Sequence, residues 1–393
     1  MIRVGTGFSD NLSLEKAILE ASAKAIEHSG LAQADTLLVY STFGETTKWP
    51  SVLKKLRAFT GTPRIVGSSG YGVLTEETEI EQRPGAAVMA FGGARESLLP
   101  FLIPHLQENN FRAGGLLYET FRESEIDPSF SILLPDAFSF QHAAFFDGFE
   151  SEGGFTPLIG GCASEAGGED KTLQWKGDQI TFDSVAGLAF GKNFEFEIGI
   201  TQSCQPLGEP FQVTRSQGNV IFEMEGRPAY DIFLEQITQL HFEDNREVFH
   251  RLFLGLPIVS FQTEFTRSRY LVRNIMGVNP RKGVLACASQ VEQGDYVTFA
   301  VRDPLRAKQD LILMLEDLQH RADGRKPLFG LYFNCCARGV SLYGSSGEDT
   351  ALLREYFPGL PIIGFFTFGE IAPLDYVNHL HHYSGILTLA FQK

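Results

Sequence analysis

A unit of strand, helix, proline-led strand and glycine recurs three times along this chain. The second strands of the three copies read Pro63 to Gly67, Pro157 to Gly160 and Pro361 to Gly364, each after a helix-like segment. Proline at the start of a strand stops the preceding helix and needs no ladder partner for its missing N–H. The glycine permits a turn or a close approach of two backbones. This recurrence predicts an α/β fold, with layers of mixed sheets flanked by helices.

The other segments of each copy support the same plan. The first strands contain TLLVY, SILLP and LFGLYF, and the closing strands contain AAVMAFGG, SVAGLAFGK and SGILTLAFQK. Such continuous apolar runs are typical of strands buried on both faces. Before the first copy, Asn11 to Gly30 has apolar residues at helical spacing, with Ser13 as a candidate N-cap and Gly30 as the stop. The 34 phenylalanines predict thick apolar layers, with an apolar pocket as the alternative.

The length of the chain, 393 residues, exceeds what one hydrophobic core usually supports, so we expect two domains. A turn at Gly226, followed by a helical pattern, marks the boundary between them. We predict two pseudo-repeated layered α/β domains, over residues 1–225 and 226–393. In the second, turns at Asn279 and Gly294 predict a set of antiparallel strands.

The composition argues against several classes of partner. A net charge of −15 disfavours nucleic acid or an anionic membrane as the main partner, because phosphate binding requires clustered Lys and Arg. No apolar run reaches the length of a signal peptide or a membrane span, so we expect a cytoplasmic protein without a membrane span. Its cysteines are odd in number, dispersed and fit a reducing compartment better than a disulfide framework. They are Cys162, Cys204, Cys287, Cys335 and Cys336.

The loop from Asn334 to Gly339 follows the first strand of the third copy, at the strand end where open α/β sheets commonly bind ligands. Arg338 can present a planar fork to a carboxylate or phosphate, and Gly339 allows the backbone to approach the ligand. A structural salt bridge is the alternative for Arg338. Cys335 or Cys336 is a candidate nucleophile, but reactivity needs a nearby base or positive field, so buried inert thiols are the alternative.

The second loop of the third copy runs from Gly364 to Glu370 and shares its GxxxxG spacing with Gly67 to Gly72 of the first copy. Small residues and hydroxyls such as Thr367 leave backbone N–H groups free to bind a ligand. Glu370 can hold an amine of the ligand or the side chain of Arg338. A tight turn between strands is the alternative. The loop is not a Walker A motif, and no GxGxxG opens a helix.

Histidines form one cluster near the C-terminus. His379 and His381 would share one face of a strand and His382 the other, which permits a metal or haem site; solvated or hydrogen-bonded side chains are the alternative. Isolated candidates for holding haem are His142, His241 and His250. The HExxH, GxSxG and CxxC motifs do not occur, which argues against the common hydrolases, zincins and redox enzymes.

Taken together, these motifs resemble the FIST family, a pair of sensory domains found in signal-transduction proteins. The resemblance covers nearly the whole chain and rests on PRIVGSSGYGVL, PLIGGCASEAG, GNVIFEMEGRPAYDIF, YLVRNIMGVNPRKGVL, LYFNCCARG and PIIGFFTFGEIAP followed by NHLHH. LYFNCCARG and PIIGFFTFGEIAP are similar to the family's Cys-x-x-Arg and Gly-Phe-x-x-x-Gly-Glu segments. The resemblance implies binding roles for Cys335, Arg338, Gly364, Phe365, Gly369 and Glu370.

The resemblance implies a sensor of a small ligand, with amino acids or their derivatives suggested for the family. It also implies a rival, because some members are similar to haem-binding nitric-oxide sensors that control a partner histidine kinase. No kinase, cyclase, chemoreceptor or F-box segment is attached, so we expect the signal to pass to a separate protein.

We favour a sensor, not an enzyme, that binds an amino-acid-like or other anionic metabolite between the two loops of the third copy. The predicted ligand-binding residues are Cys335, Arg338, Gly339, Gly364, Phe365, Thr367, Gly369 and Glu370. The alternatives are a haem-binding sensor and a thiol- or metal-dependent enzyme, and the sequence assigns no metal ligands.

Overall fold

The computed structural model of the chain describes residues 2–124, 126–165, 171–240, 245–258 and 269–393, without the side chains of residues 245 and 246. Contacts between residues divide the chain into two units. Unit 1 contains Met1–Ile200, Ile312–Leu380 and Ser384–Lys393, and unit 2 contains Thr201–Leu311 and His381–Tyr383. Segments of the two units alternate along the sequence. The division near Gly226 into domains of residues 1–225 and 226–393 stays a prediction.

Among the residues that the structure describes, strands outnumber helices, and several runs of strands follow one another without an α-helix between them. In order they are β1 (Arg3–Ser9), β2 (Thr36–Ser41), β3 (Ile65–Ser69), β4 (Gly72–Thr75), β5 (Glu79–Glu81), β6 (Ala86–Gly92), β7 (Leu98–Pro104), β8 (Pro128–Pro135), β9 (Leu158–Gly161), β10 (Gln174–Lys176), β11 (Gln179–Thr181), β12 (Ser184–Gly191), β13 (Phe194–Gln202), β14 (Cys204–Gln217), β15 (Val220–Met224), β16 (Arg227–Pro228), β17 (Leu252–Pro257), β18 (Tyr270–Asn279), β19 (Val284–Cys287), β20 (Tyr296–Arg302), β21 (Phe329–Cys335), β22 (Ile362–Thr367), β23 (Glu370–Leu374), β24 (Val377–His381) and β25 (Ser384–Gln392).

The helices include the one predicted near the N-terminus. They are α1 (Leu14–Ser29), α2 (Trp49–Thr60), α3 (Asn110–Glu123), α4 (His142–Gly153), α5 (Ala229–Leu240), α6 (Asn245–Arg251), α7 (Pro304–Ala322), α8 (Val340–Tyr343) and α9 (Glu348–Tyr356). Gly30 ends α1 in the left-handed conformation, with φ 63°, as the sequence predicts. Ser13 lies at the N-cap, although its side chain makes no capping hydrogen bond. In the described ranges, no helix is long and apolar enough to cross a membrane.

Three six-stranded sheets, formed by unit 1 apart from the last residues of β13 and β24, repeat one plan. The first runs β1-β6-β2-β3-β10-β11, the second β7-β12-β8-β9-β23-β24 and the third β13-β25-β21-β22-β4-β5. In each sheet the two central strands are parallel, and the strand beside the first of them is antiparallel. Parallel neighbours need a crossover connection, which α2, α4 and α9 provide. The recurring unit and the α/β fold are therefore confirmed.

The outer hairpin of each sheet comes from a different copy of the unit. The hairpin β4-β5 of the first copy completes the third sheet, β10-β11 of the second copy completes the first sheet, and β23-β24 of the third copy completes the second sheet. After the second strand of each copy, the chain therefore passes into a hairpin that belongs to the sheet of another copy. This cyclic exchange brings the loops after the three second strands together at one place in unit 1.

A glycine at the third position of each second strand explains the shared sequence pattern. A Cβ at Gly67 would lie 1.7 Å from the nearest carbonyl oxygen of β2. Those at Gly160 and Gly364 would lie 2.1 and 1.9 Å from the corresponding oxygens of β8 and β21. Cβ atoms essentially never approach another atom within 3.0 Å. The close backbone approach predicted for these glycines is confirmed.

Phenylalanine rings fill the space between the three sheets. Phe91 of β6, Phe190 of β12 and Phe329 of β21 contact one another, with ring centroids 5.3 to 6.0 Å apart. All three rings are buried in a cluster that draws on strands of every sheet in unit 1. This confirms the apolar layers predicted from the phenylalanine content, and such rings contribute much of the burial energy of a core.

Unit 2 is built on one seven-stranded antiparallel sheet in the order β14-β20-β17-β18-β19-β15-β16. An additional pairing of β14 with β15 closes this sheet on itself. Ile232 and Phe233 of α5 pack into its apolar core with Leu252 and Leu285. The antiparallel strands predicted around Asn279 are confirmed as β18 and β19.

Candidate functional site

The three loops that follow the second strands bond to one another. The backbone N–H of Ser164 donates to the carbonyl of Ser69 at 3.3 Å, and that of Phe368 donates to Cys162 at 3.1 Å. The Ser164 hydroxyl accepts the N–H of Tyr71 at 2.7 Å. The expectation that the amides of these loops are free for a ligand is therefore wrong for these positions, because the exchanged hairpins hold the loops side by side.

The guanidinium of Arg338 is fully buried and faces Asp349 in the first turn of α9. Its Nε donates to Oδ2 and its Nη2 to Oδ1, both at 3.0 Å. The same carboxylate accepts hydrogen bonds from the hydroxyls of Tyr332 and Tyr343, at 2.8 and 2.9 Å, and from the amide of Asn334 at 3.1 Å. Arg338 thus makes the structural salt bridge that the sequence left open as its alternative role.

The charges of this ion pair are compensated inside the protein. Burial disfavours a charged carboxylate, but the guanidinium and the hydroxyls of Tyr332 and Tyr343 outweigh it and hold the pKa of Asp349 below its usual range. The same carboxylate keeps the pKa of Arg338 above its ordinary value, although burial acts in the opposite direction. A ligand anion would therefore have to compete with Asp349 for this guanidinium.

The carboxyl group of Glu370 is also fully buried, and hydroxyl groups surround it. Its Oε1 accepts from Thr367 at 2.5 Å, and its Oε2 accepts from the Ser384 hydroxyl at 2.7 Å. Burial, and then the nearby Cys335, raise the pKa of Glu370 well above its ordinary value. Burial at this position therefore disfavours the charged form of Glu370. The carboxylate paired with Arg338 is Asp349 instead.

Three half-exposed side chains lie at the carboxyl edge of the third sheet, and we call Tyr71, Glu81 and Cys336 the carboxyl-edge cluster. The Glu81 carboxylate accepts the N–H of Val340 at 2.9 Å. Partial burial, with a further contribution from Glu79, raises the pKa of Glu81 to about 7. Burial, then Glu81 and Cys336, raise the pKa of Tyr71. The cluster therefore contains a carboxyl group that changes charge near neutral pH.

The other predicted residues shape the backbone and the core. Gly339 has a φ of 57°, and a Cβ there would lie 2.3 Å from the Glu81 carboxylate. Phe365 packs against Tyr40 with ring centroids 4.5 Å apart, and the Gly369 carbonyl accepts a loop amide at 2.8 Å. The structure brings these residues to the same edge as Cys335, Thr367 and Glu370. Their roles in ligand binding stay predictions.

A cavity of about 610 Å³ lies at the opposite, amino edge of the third sheet, where the sequence suggested no candidate. It is lined by residues just before β21 and β22 and by residues of β1, α1 and β25. We call it the amino-edge groove and refer to its side chains Arg3, Lys326, Tyr356, Phe357, Leu360 and Gln392. Its volume lies within the range of about 300 to 1,000 Å³ that is typical of small-molecule sites.

The amino-edge groove carries charges of both signs. Arg3 and Lys326 are exposed, and neither forms an ion pair with any residue that the structure describes. At the other side, the Tyr356 hydroxyl lies 3.5 Å from the Glu316 carboxylate. Burial, followed by Glu316 and a neighbouring glutamate, raises the pKa of Tyr356. Phe357 is buried beside these polar groups, so the groove combines cations, a nearby acid and an apolar wall.

Histidines do not line the amino-edge groove, so its residues do not fit a haem held by an axial histidine. In β24, His379 and His381 are two residues apart, which is the spacing of one strand face. His142 begins α4, His250 lies in α6, and His241 lies outside the described residues. Over the part of the chain that the structure describes, no three His, Cys, Asp or Glu side chains are placed to hold a metal ion.

Models of known protein families match both halves of the sequence. The model of the FIST N domain matches residues 35–227, and that of the FIST C domain matches residues 229–373. The uncharacterized protein Rv0628c of Mycobacterium tuberculosis is 26% identical over 389 residues, 99% of each chain. Mb0898c of Mycobacterium bovis, also uncharacterized, is 25% identical over 99% of this chain and 98% of its own. The uncharacterized protein MJ1623 of Methanocaldococcus jannaschii is 32% identical over 51% of this chain and 38% of its own.

Proposed function

Because this chain belongs to the FIST family, whose domains are sensory and bind ligands, we propose that it senses a small anionic or zwitterionic molecule in the amino-edge groove. An amino acid or a derivative has this chemistry. The bound protein would signal in the cytoplasm to a separate partner, such as a histidine kinase. The observation that supports this site is a ligand-sized cavity with two exposed cations, Arg3 and Lys326, in a chain whose net charge is −15.

The side chains of the groove suit the two ends of such a ligand. Arg3 and Lys326 can donate charge-assisted hydrogen bonds to a carboxylate or phosphate, which are about twice as strong as neutral ones. Glu316 lies beside Tyr356, where an ammonium group would be favoured. The apolar wall at Phe357 and Leu360 can cover a hydrocarbon portion.

The loops predicted from the sequence are a second possible place for the ligand. Binding an anion through Arg338 requires its guanidinium to leave Asp349, and breaking a buried ion pair costs about 3–5 kcal/mol. A small ligand would have to offset this loss before it gained affinity. At the amino-edge groove, Arg3 and Lys326 are exposed, so neither has to leave a buried carboxylate to bind an anion. The guanidinium of Arg3 donates one exposed hydrogen bond, to the Gly30 carbonyl at 2.8 Å. We therefore favour the groove.

A thermal-shift screen of amino acids, their derivatives and small carboxylates tests this function. We expect at least one compound to stabilise the wild type and to lose its effect in Lys326→Glu. Lys54→Glu, a charge reversal of an exposed lysine in α2, is the matched control and should keep the effect. A hit that stabilises Lys326→Glu as strongly as wild type, but not Cys336→Ser, would place the ligand at the carboxyl edge and overturn the groove.

The absorption spectrum of the purified protein separates this function from the haem alternative. For the proposed sensor, we expect a ligand to stabilise the protein and the absorption spectrum to contain no Soret band. A Soret band at one haem per chain, lost on substitution of a single histidine, would support the nitric-oxide sensor and count against the groove as the sensory site.

A further inference from the structure

The adjacent thiols of Cys335 and Cys336 take no part in the proposed ligand site and differ in their surroundings. Cys335 ends β21 and is buried, with 4% of its surface exposed. Cys336 lies in the following turn and is partly exposed. Cys336 is therefore the more accessible of the two residues.

The backbone turns between these two residues instead of continuing as a strand. The N–H of Arg338 donates to the Cys335 carbonyl at 2.8 Å, which closes the turn, and the N–H of Cys336 donates to Thr367 at 2.8 Å. In an extended strand, neighbouring side chains point to opposite faces. Here the chain leaves the strand at Cys336, and the side chains of the two cysteines interact through a hydrogen bond.

That hydrogen bond is the main cause that lowers the pKa of Cys336, although burial, Glu370 and Glu81 act in the opposite direction. Glu81 is close enough to act on Cys336, and its own pKa of about 7 leaves it able to give up a proton at neutral pH. Redox-sensing cysteines combine thiolate character, access to solvent and a neighbouring resolving cysteine. Cys336 combines a lowered pKa, partial exposure and an adjacent cysteine.

The three other cysteines have different surroundings. Cys162, Cys204 and Cys287 are all buried. Burial, then Glu370, raises the pKa of Cys162 far above its ordinary value, and burial raises the pKa of Cys287 to about 11. A buried thiol of raised pKa is a poor nucleophile. Oxidation should therefore be selective for the adjacent pair.

We propose that Cys336 and Cys335 form an oxidation site for hydrogen peroxide and small organic hydroperoxides, which closes as a reversible disulfide between the two residues. The Cys336 thiolate attacks the peroxide, so that an S–O bond forms, the O–O bond breaks and the leaving hydroxide takes a proton from Glu81. The Cys335 thiol then attacks the sulfenic sulfur. The S–S bond forms, the S–O bond breaks, and the departing hydroxide and the Cys335 proton leave as water.

The disulfide would give the protein a redox input that is separate from the ligand. It would constrain the turn that leads into Arg338, whose ion pair with Asp349 holds α9 against the third sheet. A disulfide between neighbouring residues departs from the relaxed Cα separation of about 4.4 to 6.8 Å, so it is readily reduced. An easily reduced disulfide suits a reversible signal.

Peptide mapping after treatment of the full chain with hydrogen peroxide tests the site. We expect the wild type to lose two hydrogens from the peptide that contains both cysteines, and dithiothreitol to restore them. Cys336→Ser should abolish this change. Cys335→Ser should instead accumulate a sulfenic acid on Cys336, which dimedone traps. Cys162→Ser is the matched control and should form the disulfide like wild type.

Two results would overturn the proposal. One is a folded wild type whose Cys335 and Cys336 stay reduced under conditions that oxidise the urea-unfolded chain. The other is a disulfide that includes Cys162. Should a serine variant fail to fold by circular dichroism, iodoacetamide labelling of the wild type decides the question, because labelling must reach Cys336 first and must prevent the disulfide. The assay needs no ligand, so its outcome is independent of the amino-edge groove.

Discussion

Glu370 and Gln174 occupy equivalent positions in two of the three sheets of unit 1. Glu370 pairs with the fourth residue of β9, and Gln174 pairs with the fourth residue of β3. Each accepts a hydrogen bond from the serine that opens the closing strand of its copy, Ser384 at 2.7 Å and Ser184 at 3.2 Å. A carboxyl group has nearly the shape of an amide, so an amide should fit the position that Glu370 occupies.

Glu370→Gln should therefore be tolerated, because Gln174 already shows how an amide is accommodated, with its Nε2 donating to Thr172 at 2.9 Å. The pKa of Glu370 is raised in the folded protein, so above the ordinary pKa the folded chain keeps a proton that the unfolded chain has lost. The free energy of unfolding therefore falls as the pH rises. We expect urea denaturation to show similar stability for the variant and wild type at pH 4 and greater stability of the variant at pH 8.

The reciprocal variant provides the control. Gln174→Glu introduces a buried carboxyl group and should lower stability at pH 8 by about 1–3 kcal/mol. A Glu370→Gln variant that is strongly destabilised at both pH values would show that Glu370 has a charged role, which contradicts the equivalence.

The ion pair of Arg338 and Asp349 should make a large contribution to stability when only one partner is removed. Asp349→Ala leaves a buried guanidinium without its carboxylate and should lower the free energy of unfolding by about 3–5 kcal/mol. The control is Lys55→Ala, which removes an exposed ion pair with Glu15 of 2.6 Å and should cost at most about 1 kcal/mol. Equal small losses in both variants, measured by denaturant unfolding, would mean that Arg338 is free to serve a ligand.

Glu81 should give the protein a pH dependence near neutrality. Its pKa is about 7 in the folded protein against an ordinary value near 4.5, so the folded state binds more protons between these values and stability falls as the pH rises. Since the carboxyl group is partly exposed, we expect an effect of only about 1 kcal/mol after screening. Glu81→Gln should flatten the dependence of the unfolding midpoint between pH 5 and 8.

The exposed Glu77→Gln serves as the control, because it removes one carboxylate from the same hairpin region. This control should leave the slope of the wild type unchanged. If the unfolding midpoints of Glu81→Gln and wild type depend on pH to the same extent, Glu81 has the same pKa in the folded and unfolded chains, which contradicts this prediction.

Much of the architecture follows from local signals in the sequence. The proline and glycine of Pro63 to Gly67 act on their own backbone, and the same pattern recurs in the other copies, so the three parallel strand pairs could be predicted. The exchange of hairpins could not, because the residues of β4 carry no local mark of whether they pair with β3 or with β22. That exchange decides which loops meet.

Less of the candidate sites can be predicted from the sequence. The sequence marks Arg338 as a cation near a strand end, but its partner Asp349 lies on α9, and only the fold shows that the pair is buried. The amino-edge groove is assembled from five separated segments, so no motif contains both Arg3 and Lys326. The adjacency of Cys335 and Cys336 is visible in the sequence, whereas their difference in exposure is not.

Isothermal titration of the strongest stabilising compound into wild type and the Arg3→Ala/Lys326→Ala double variant tests the central proposal most directly. Removal of two charge-assisted contacts should weaken binding by about 100-fold or more, since each contributes about 1.5–3 kcal/mol. Lys54→Ala should bind like wild type. A dissociation constant that is unchanged in the double variant would contradict a ligand site in the amino-edge groove.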